Sequence, residues 1–211
     1  MKRGLFISLE GGEGCGKSTQ AARLAARLQR AGHKVVLTRE PGGSAIGERI
    51  RDLLKESRGV DTLCAEGELL LFAAARAQLV REVIWPALYR GNIVVCDRFA
   101  DSTTAYQGFG RQLDMKLVRA INDMAVGNCW PHLTILLDVD VRVGLERADK
   151  RSSTKSPDRM GELDEKFYER VRAGFLKLAR EEPRRFVVVK ADTSEIKVAV
   201  AIWKIVQGEI E

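Results

Sequence analysis

Cysteine is sparse in this chain: Cys15, Cys64, Cys96 and Cys129 lie far apart and form no C-x-x-C pair. That spacing excludes a structural zinc site of the usual kind and supplies no disulfide framework, so a reducing cytoplasm is the expected compartment. Long apolar runs are also missing; none approaches the roughly 20 residues of a membrane span. The stretch from Met1 to Leu9 has a basic start and an apolar middle. It meets Glu10 at once and carries no small-residue cleavage site, so it reads as a buried first strand rather than a leader. His33 and His132 look like surface or strand-flanking residues and receive no chemistry. Nor is there a basic block. The 35 Lys and Arg are spread among 29 acids, giving a formal net charge of +6. A nucleic-acid binder concentrates its cations; this pattern reads as a solvated surface or as the setting for an anionic small molecule such as a nucleotide. Neither nucleic acid nor membrane is an expected partner.

With 45% hydrophobic and 30% charged residues over 211 positions, the chain has material for one sizeable core. It is read as a single domain, 1–211. Strand-like and helix-like segments alternate. Short apolar runs at Leu5–Leu9, Lys34–Thr38, Asn92–Asp97, Leu133–Asp138 and Phe186–Val189 read as buried strands. Helical spacing covers Lys17–Arg30, Ala45–Glu56, Glu66–Tyr89, Met115–Val126, Val141–Lys150, Leu163–Arg180 and Glu195–Val206. This alternation predicts an α/β fold: a five-stranded parallel sheet flanked by helices, with right-handed crossovers. Ligands in such sheets sit beyond the carboxyl ends of the strands, where nearly every polar cluster of this sequence falls. One polar segment, about 151–161, breaks the alternation between two helices. It reads as a plain surface loop or as a lid over a site.

Gly11-Gly12-Glu13-Gly14-Cys15-Gly16-Lys17-Ser18 fits G-x-x-x-x-G-K-[ST] without a mismatch, between a strand and a helix. At average composition the pattern arises by chance in roughly one chain per hundred of this length. Glycines let successive backbone N–H groups turn toward phosphate oxygens, and the helix that follows adds its positive end. Lys17 is placed to reach the β- and γ-phosphates of ATP, and the Ser18 hydroxyl to ligate Mg²⁺; Thr19 completes the cofactor-binding run. A GTPase would carry N-K-x-D, which is missing.

Further motifs narrow the class. They are Thr38-Arg39-Glu40-Pro41-Gly42-Gly43, Phe72-Ala73-Ala74-Ala75-Arg76, Asp97-Arg98-Phe99 with Ser102 and Ala105-Tyr106-Gln107-Gly108 beyond it, and Asp158-Arg159. Together with Glu10-Gly11-Gly12-Glu13-Gly14 they resemble the thymidylate kinases, and the match runs over most of the chain. The resemblance implies a P-loop nucleoside monophosphate kinase that moves the γ-phosphoryl of ATP onto dTMP with Mg²⁺, commonly as a homodimer. Physically, Asp97 ends a strand where an acid can hold Mg²⁺. The resemblance implies that Arg98 grips the acceptor phosphate, and Arg39, off the neighbouring strand end, is expected to grip the same group; a guanidinium fork suits a phosphate's oxygens. On spacing alone, Asp97-Arg98 is equally a strand-end ion pair. Phe72 and Arg76 share a helix face. Phe72 is either a core aromatic or a stacking platform for a pyrimidine, and Arg76 a donor to the thymine 4-carbonyl. The resemblance places Glu13 at the sugar 3′-hydroxyl, Tyr106 under the deoxyribose, and Ser102 and Gln107 around the thymidine; without it, Glu13 is a helix-dipole acid and Tyr106 a packed helix residue.

One arginine that neutralises the moving phosphoryl group is worth roughly 10³–10⁵ in rate. The phosphate loop has none at its variable positions, so the resemblance is to the type that brings it from the lid, with Arg151 and Arg159 as candidates and Arg147 and Lys155 behind them. Cys15 stands where the family usually has alanine. The alternatives are a kinase for another nucleoside monophosphate or a deoxynucleoside, and a non-catalytic ATP-binding module.

Overall fold

The computed structural model describes residues 4–57, 63–151 and 164–210, and of Arg151 the backbone alone. Five strands form one parallel sheet: β1 (Phe6–Glu10), β2 (Val35–Arg39), β3 (Ile93–Asp97), β4 (Leu133–Asp138) and β5 (Phe186–Lys190), in the spatial order β2-β3-β1-β4-β5. The helices are α1 (Lys17–Arg30), α2 (Ala45–Glu56), α3 (Ala65–Leu79), α4 (Trp85–Tyr89), α5 (Ala100–Thr103), α6 (Met115–Val126), α7 (Val141–Arg151), α8 (Glu165–Glu181) and α9 (Glu195–Ile210). The expected fold class is the observed one, and each sequence-read strand is present to within two residues.

Both faces of the sheet are covered, which is why β1 is buried throughout and β3 and β4 are buried up to their last residues, Asp97 and Asp138. On one face the stripe Ala21, Leu24 and Leu28 of α1 packs with Val198, Ile202 and Val206 of α9 against Ile7, Leu9, Val95 and Ile135. Two clusters cover the other face. Phe6, Val94 and Cys96 meet Leu79, Ile84 and Val126, while Leu136 and Phe186 meet Tyr106, Phe167, Val171 and Phe175. Several helices carry side-chain caps: Ser44 accepts from the Gly47 N–H, and Asp164 from the Phe167 N–H. No helix among the described residues is long and apolar enough to cross a membrane. All four cysteines are unpaired.

Two helical stretches are wider than α. The long helix expected over Glu66–Tyr89 runs from α3 into α4 through a π turn at Val80–Ile84. Pro86 sits in α4 and can neither donate to the Glu82 carbonyl nor pass it without a clash, and the widened turn absorbs that conflict. The second stretch, Thr104–Gly110, continues α5. The sequence reading assigned no element to Ala100–Gly110. Its composition, rich in Thr, Ser and Gly, has weak helix propensity; tertiary packing of Tyr106 against Phe167 and Phe175 holds it in place.

Candidate active site

The register of the sheet brings Glu10, Arg39 and Asp97 to one edge, because Leu9 and Arg39 both pair with Asp97 across neighbouring strands. Above that edge lies a cleft of about 310 Å³. At one end is the phosphate loop. Gly14 takes φ 64° and Gly16 φ 93°. A Cβ on Gly14 would stand 1.8 Å from the Gly144 carbonyl oxygen, so α7 is packed directly on this loop and only glycine fits. Gly16 is also the N-cap of α1 and offers no side-chain cap; no acid lies in the first turn. The first N–H groups of α1 are therefore available to an anion.

Lys17 is buried. Its Nζ donates to the carbonyls of Gly11 at 3.0 Å and Gly12 at 2.7 Å and lies 3.4 Å from Cys15 Sγ. The ammonium is thus held against the loop it must serve. The Ser18 hydroxyl donates to Asp97 Oδ2 at 2.5 Å, while Asp97 Oδ1 is buried with no hydrogen-bond partner. An orphaned carboxylate oxygen beside a hydroxyl is a donor set that suits a hard cation such as Mg²⁺. Among the described residues no three His, Cys, Asp or Glu side chains converge. The other ligands of such an ion would have to come from phosphate and water.

The middle of the cleft holds Arg98, Glu13, Tyr106 and Ser102. Arg98 takes the left-handed conformation, φ 68°, unusual for a non-glycine residue. Its Nη2 meets Glu13 Oε1 at 2.5 Å, and the Tyr106 hydroxyl donates to the same oxygen at 2.9 Å. The guanidinium lies 5.0 Å from the centre of the Tyr106 ring, with Nη1 at 3.4 Å from Ser102 Oγ. Burial pushes the Glu13 carboxyl up, but Arg98 and Lys17 outweigh it and bring its pKa down to about 2. Arg39, half-exposed at the cleft edge, is held by both oxygens of Glu48 at 2.9 Å.

The far end is built on α3. Glu68, Phe72 and Arg76, spaced by four, share one face and all line the cleft. Arg76 is 1% exposed. Its Nε and Nη2 grip Glu40 at 2.9 and 2.5 Å, Nη2 also donates to Thr103 at 2.9 Å, and Nη1 donates to Asn122 at 2.9 Å. These contacts engage four of its five N–H donors and leave one on Nη1. Burial pushes the Glu40 carboxyl up, against the pull of Arg76. Gln107 donates to Glu68 at 2.7 Å, and Arg111 pairs with the other oxygen at 3.1 Å.

The structure thus brings most of the sequence-read residues to one cleft. Glu13, Gly14, Gly16, Lys17 and Ser18 line it from the loop; Arg39, Asp97 and Arg98 from the strand ends; Phe72, Arg76, Ser102, Tyr106 and Gln107 from the helices. Gly11, Gly12, Cys15 and Thr19 belong to the same loop and helix without lining it. Arg147, on α7, donates to the Ala191 carbonyl at 2.8 Å. Lys155, Arg159 and the side chain of Arg151 lie outside the described residues, as does most of the segment 151–161. Glu40, Glu68, Thr103 and Asn122 received no role from the sequence. Glu68 had a signal, its spacing of four from Phe72, and Glu40 stood inside the Thr38–Gly43 motif; Thr103 and Asn122 come from two other helices and had none.

A parallel sheet with a phosphate loop at its switch point, beside a cleft lined by several guanidinium groups, carboxyl groups and an aromatic platform, defines a P-loop nucleotide phosphotransferase. Within that class the assignment is specific. The family model "Thymidylate kinase" matches residues 9–202, and the chain belongs to that family. It is 52% identical to a thymidylate kinase of Deinococcus radiodurans, covering 96% of each chain, and 48% identical to one of Geobacter sulfurreducens, covering 98% of each. Among solved structures it resembles the crystal structure of a thymidylate kinase from Ehrlichia chaffeensis, with TM-score 0.78 and 35% identity over 97% of this chain and 99% of that one.

Proposed function

We propose that this protein phosphorylates dTMP to dTDP by direct in-line transfer of the γ-phosphoryl group of ATP. The observation that carries the reading is the apposition, across one cleft, of the phosphate loop and a pocket closed by Phe72 and Arg76. Loop amides, the α1 N-terminus and Lys17 hold the triphosphate. Ser18 and the orphaned Asp97 Oδ1 are the residues that would hold Mg²⁺, which when bound neutralises charge on the phosphate oxygens. Arg98 and Arg39 take the acceptor phosphate. Each is held by a carboxylate, Glu13 and Glu48, so an incoming dianion exchanges one charge-assisted bond for another. Glu13, ionised and tied to Tyr106, is placed for the sugar 3′-hydroxyl, with the Tyr106 ring under the deoxyribose. The remaining Arg76 Nη1 N–H suits the thymine 4-carbonyl and repels the 4-amino group of cytosine. The acceptor phosphate is already ionised, so no general base is needed, and Arg151 or Arg159 is the arginine we assign to the γ-phosphate.

We read the chain as one domain acting in the cytoplasm as a homodimer. Four unpaired cysteines suit a reducing compartment, and exposed Leu53 and Leu70 on neighbouring α2 and α3 offer an apolar contact surface. Light scattering on the eluting protein reads the oligomeric state. A coupled assay with dTMP, dUMP, dCMP, AMP and thymidine as acceptors tests the function. dTMP is expected to be preferred over dCMP and AMP by several orders of magnitude, and over dUMP by about 10–200-fold, the worth of one methyl. ATP binding with no diphosphate formed from any acceptor would refute the reading.

A further inference from the structure

Glu10 ends β1, directly before the phosphate loop, and is fully buried. The donors that hold it are neutral and come from the neighbouring segment after β3. The Phe99 N–H donates to Oε1 at 2.7 Å and the Ser102 hydroxyl to Oε2 at 2.6 Å. Phe99 is the N-cap of α5 and offers no side-chain cap of its own, so a carboxyl group from another strand closes that helix start. Between β3 and this cap stands Arg98 with φ 68°, a conformation that surrounding contacts must enforce. Its N–H is fixed to the Leu9 carbonyl at 3.0 Å, beside Glu10.

We propose that Glu10 is a positioning residue for the phosphate acceptor: by gripping Phe99 and Ser102 it locks the left-handed turn that aims Arg98 across the strand ends. The inference deepens the dTMP kinase reading and rests on it. The nearby carboxylate within α5, Asp101, is held differently, by Arg185 just before β5, at 2.6 and 2.9 Å. Glu10 has no such partner among the described residues, and its grip responds to protonation. Burial, with the nearby Asp101 charge, pushes its pKa up to about 8, against the Ser102 hydroxyl, Arg98 and the Phe99 N–H. The other titratable groups near it are Cys96 and Asp97 on β3; β4 places Leu136 beside it. In the acid form Glu10 donates to Ser102 Oγ, which frees the Ser102 hydroxyl to turn toward the acceptor; ionisation withdraws that donor and sets a negative charge behind the phosphate site.

The test is steady-state kinetics of the full chain, wild type beside Glu10→Gln and Glu10→Ala, with both substrates varied. Glu10→Ala is expected to raise KM for dTMP by about tenfold or more and to leave KM for ATP within about twofold. Gln keeps an acceptor for Phe99 and a donor for Ser102, so Glu10→Gln is expected to restore KM for dTMP to within about threefold of wild type. Between pH 7 and 9 the wild type should lose dTMP affinity while Glu10→Gln keeps it, a comparison that stands even if Glu10→Ala fails to fold. Equal loss for both substrates, or the same pH profile in wild type and Glu10→Gln, would overturn the proposal. A wild type that makes no dTDP would instead refute the functional reading beneath it.

Discussion

Single residues in the cleft are tied to each other more tightly than their motifs suggest, and this changes what substitutions should do. Lys17→Ala removes a cation that touches only loop carbonyls and a thiol, so turnover should vanish while the circular dichroism spectrum and melting temperature stay near wild type. Arg76→Ala differs. It strands Glu40 in the interior, which typically costs about 3–5 kcal/mol. Denaturant unfolding should show that loss, and adding Glu40→Gln should recover part of it, with non-additivity marking the pair. Among carboxylates, Glu10 and Glu13 titrate in opposite senses. Glu13, held down to about 2, contributes stability that is present above its ordinary pKa of 4.5 and fades as pH falls toward 2. Glu10, raised to about 8, contributes stability that is complete below 4.5 and fades as pH rises through 8. Melting temperatures across pH 5–9 should therefore decline less in Glu10→Gln than in wild type.

Elements act here as mounts for short polar runs. The phosphate loop is fixed from above by α7, whose Gly144 carbonyl leaves no room for a side chain at Gly14. Gly14→Ala should raise KM for ATP by at least about tenfold, because the loop must move and its N–H groups lose their aim, and should raise KM for dTMP less, through Glu13 on the same loop. The Ala100–Gly110 segment carries Ser102, Tyr106 and Gln107, yet its own sequence is a poor helix former. It depends on α8 through Phe167 and Phe175. Phe175→Ala should cost about 3–5 kcal/mol in denaturant unfolding, and the activity that survives should show a raised KM for dTMP. The sequence could locate α1, α6 and β4 because their periodicity is strong and uninterrupted. It could not locate the Ala100–Gly110 segment, because what makes that stretch helical is a neighbour some sixty residues away.

At the scale of the whole molecule, the two halves of the cleft should respond separately to ligands. Each ligand that binds the folded chain alone stabilises it, by about 2.7 kcal/mol at a hundredfold excess over Kd. Thermal shifts should show ATP and dTMP stabilising wild type independently; Lys17→Ala should lose the ATP shift and keep the dTMP shift, and the reverse pattern would contradict the division of the cleft. Strand and helix alternation, the parallel sheet and the phosphate loop are legible in the linear pattern, because they follow from local periodicity and from contiguous residues with one chemical purpose. It also marked Arg39, Arg98, Phe72 and Arg76. Their partners emerge in three dimensions alone. Glu48 beside Arg39, Glu13 beside Arg98, Glu40 beside Arg76 and Glu10 beneath Ser102 are set by strand order and helix packing, and the balance of burial against neighbouring charges then pushes Glu13 down and Glu40 and Glu10 up. Pairing and burial are properties of distance in space, and a linear pattern carries them only where neighbours in the fold are also neighbours in the chain.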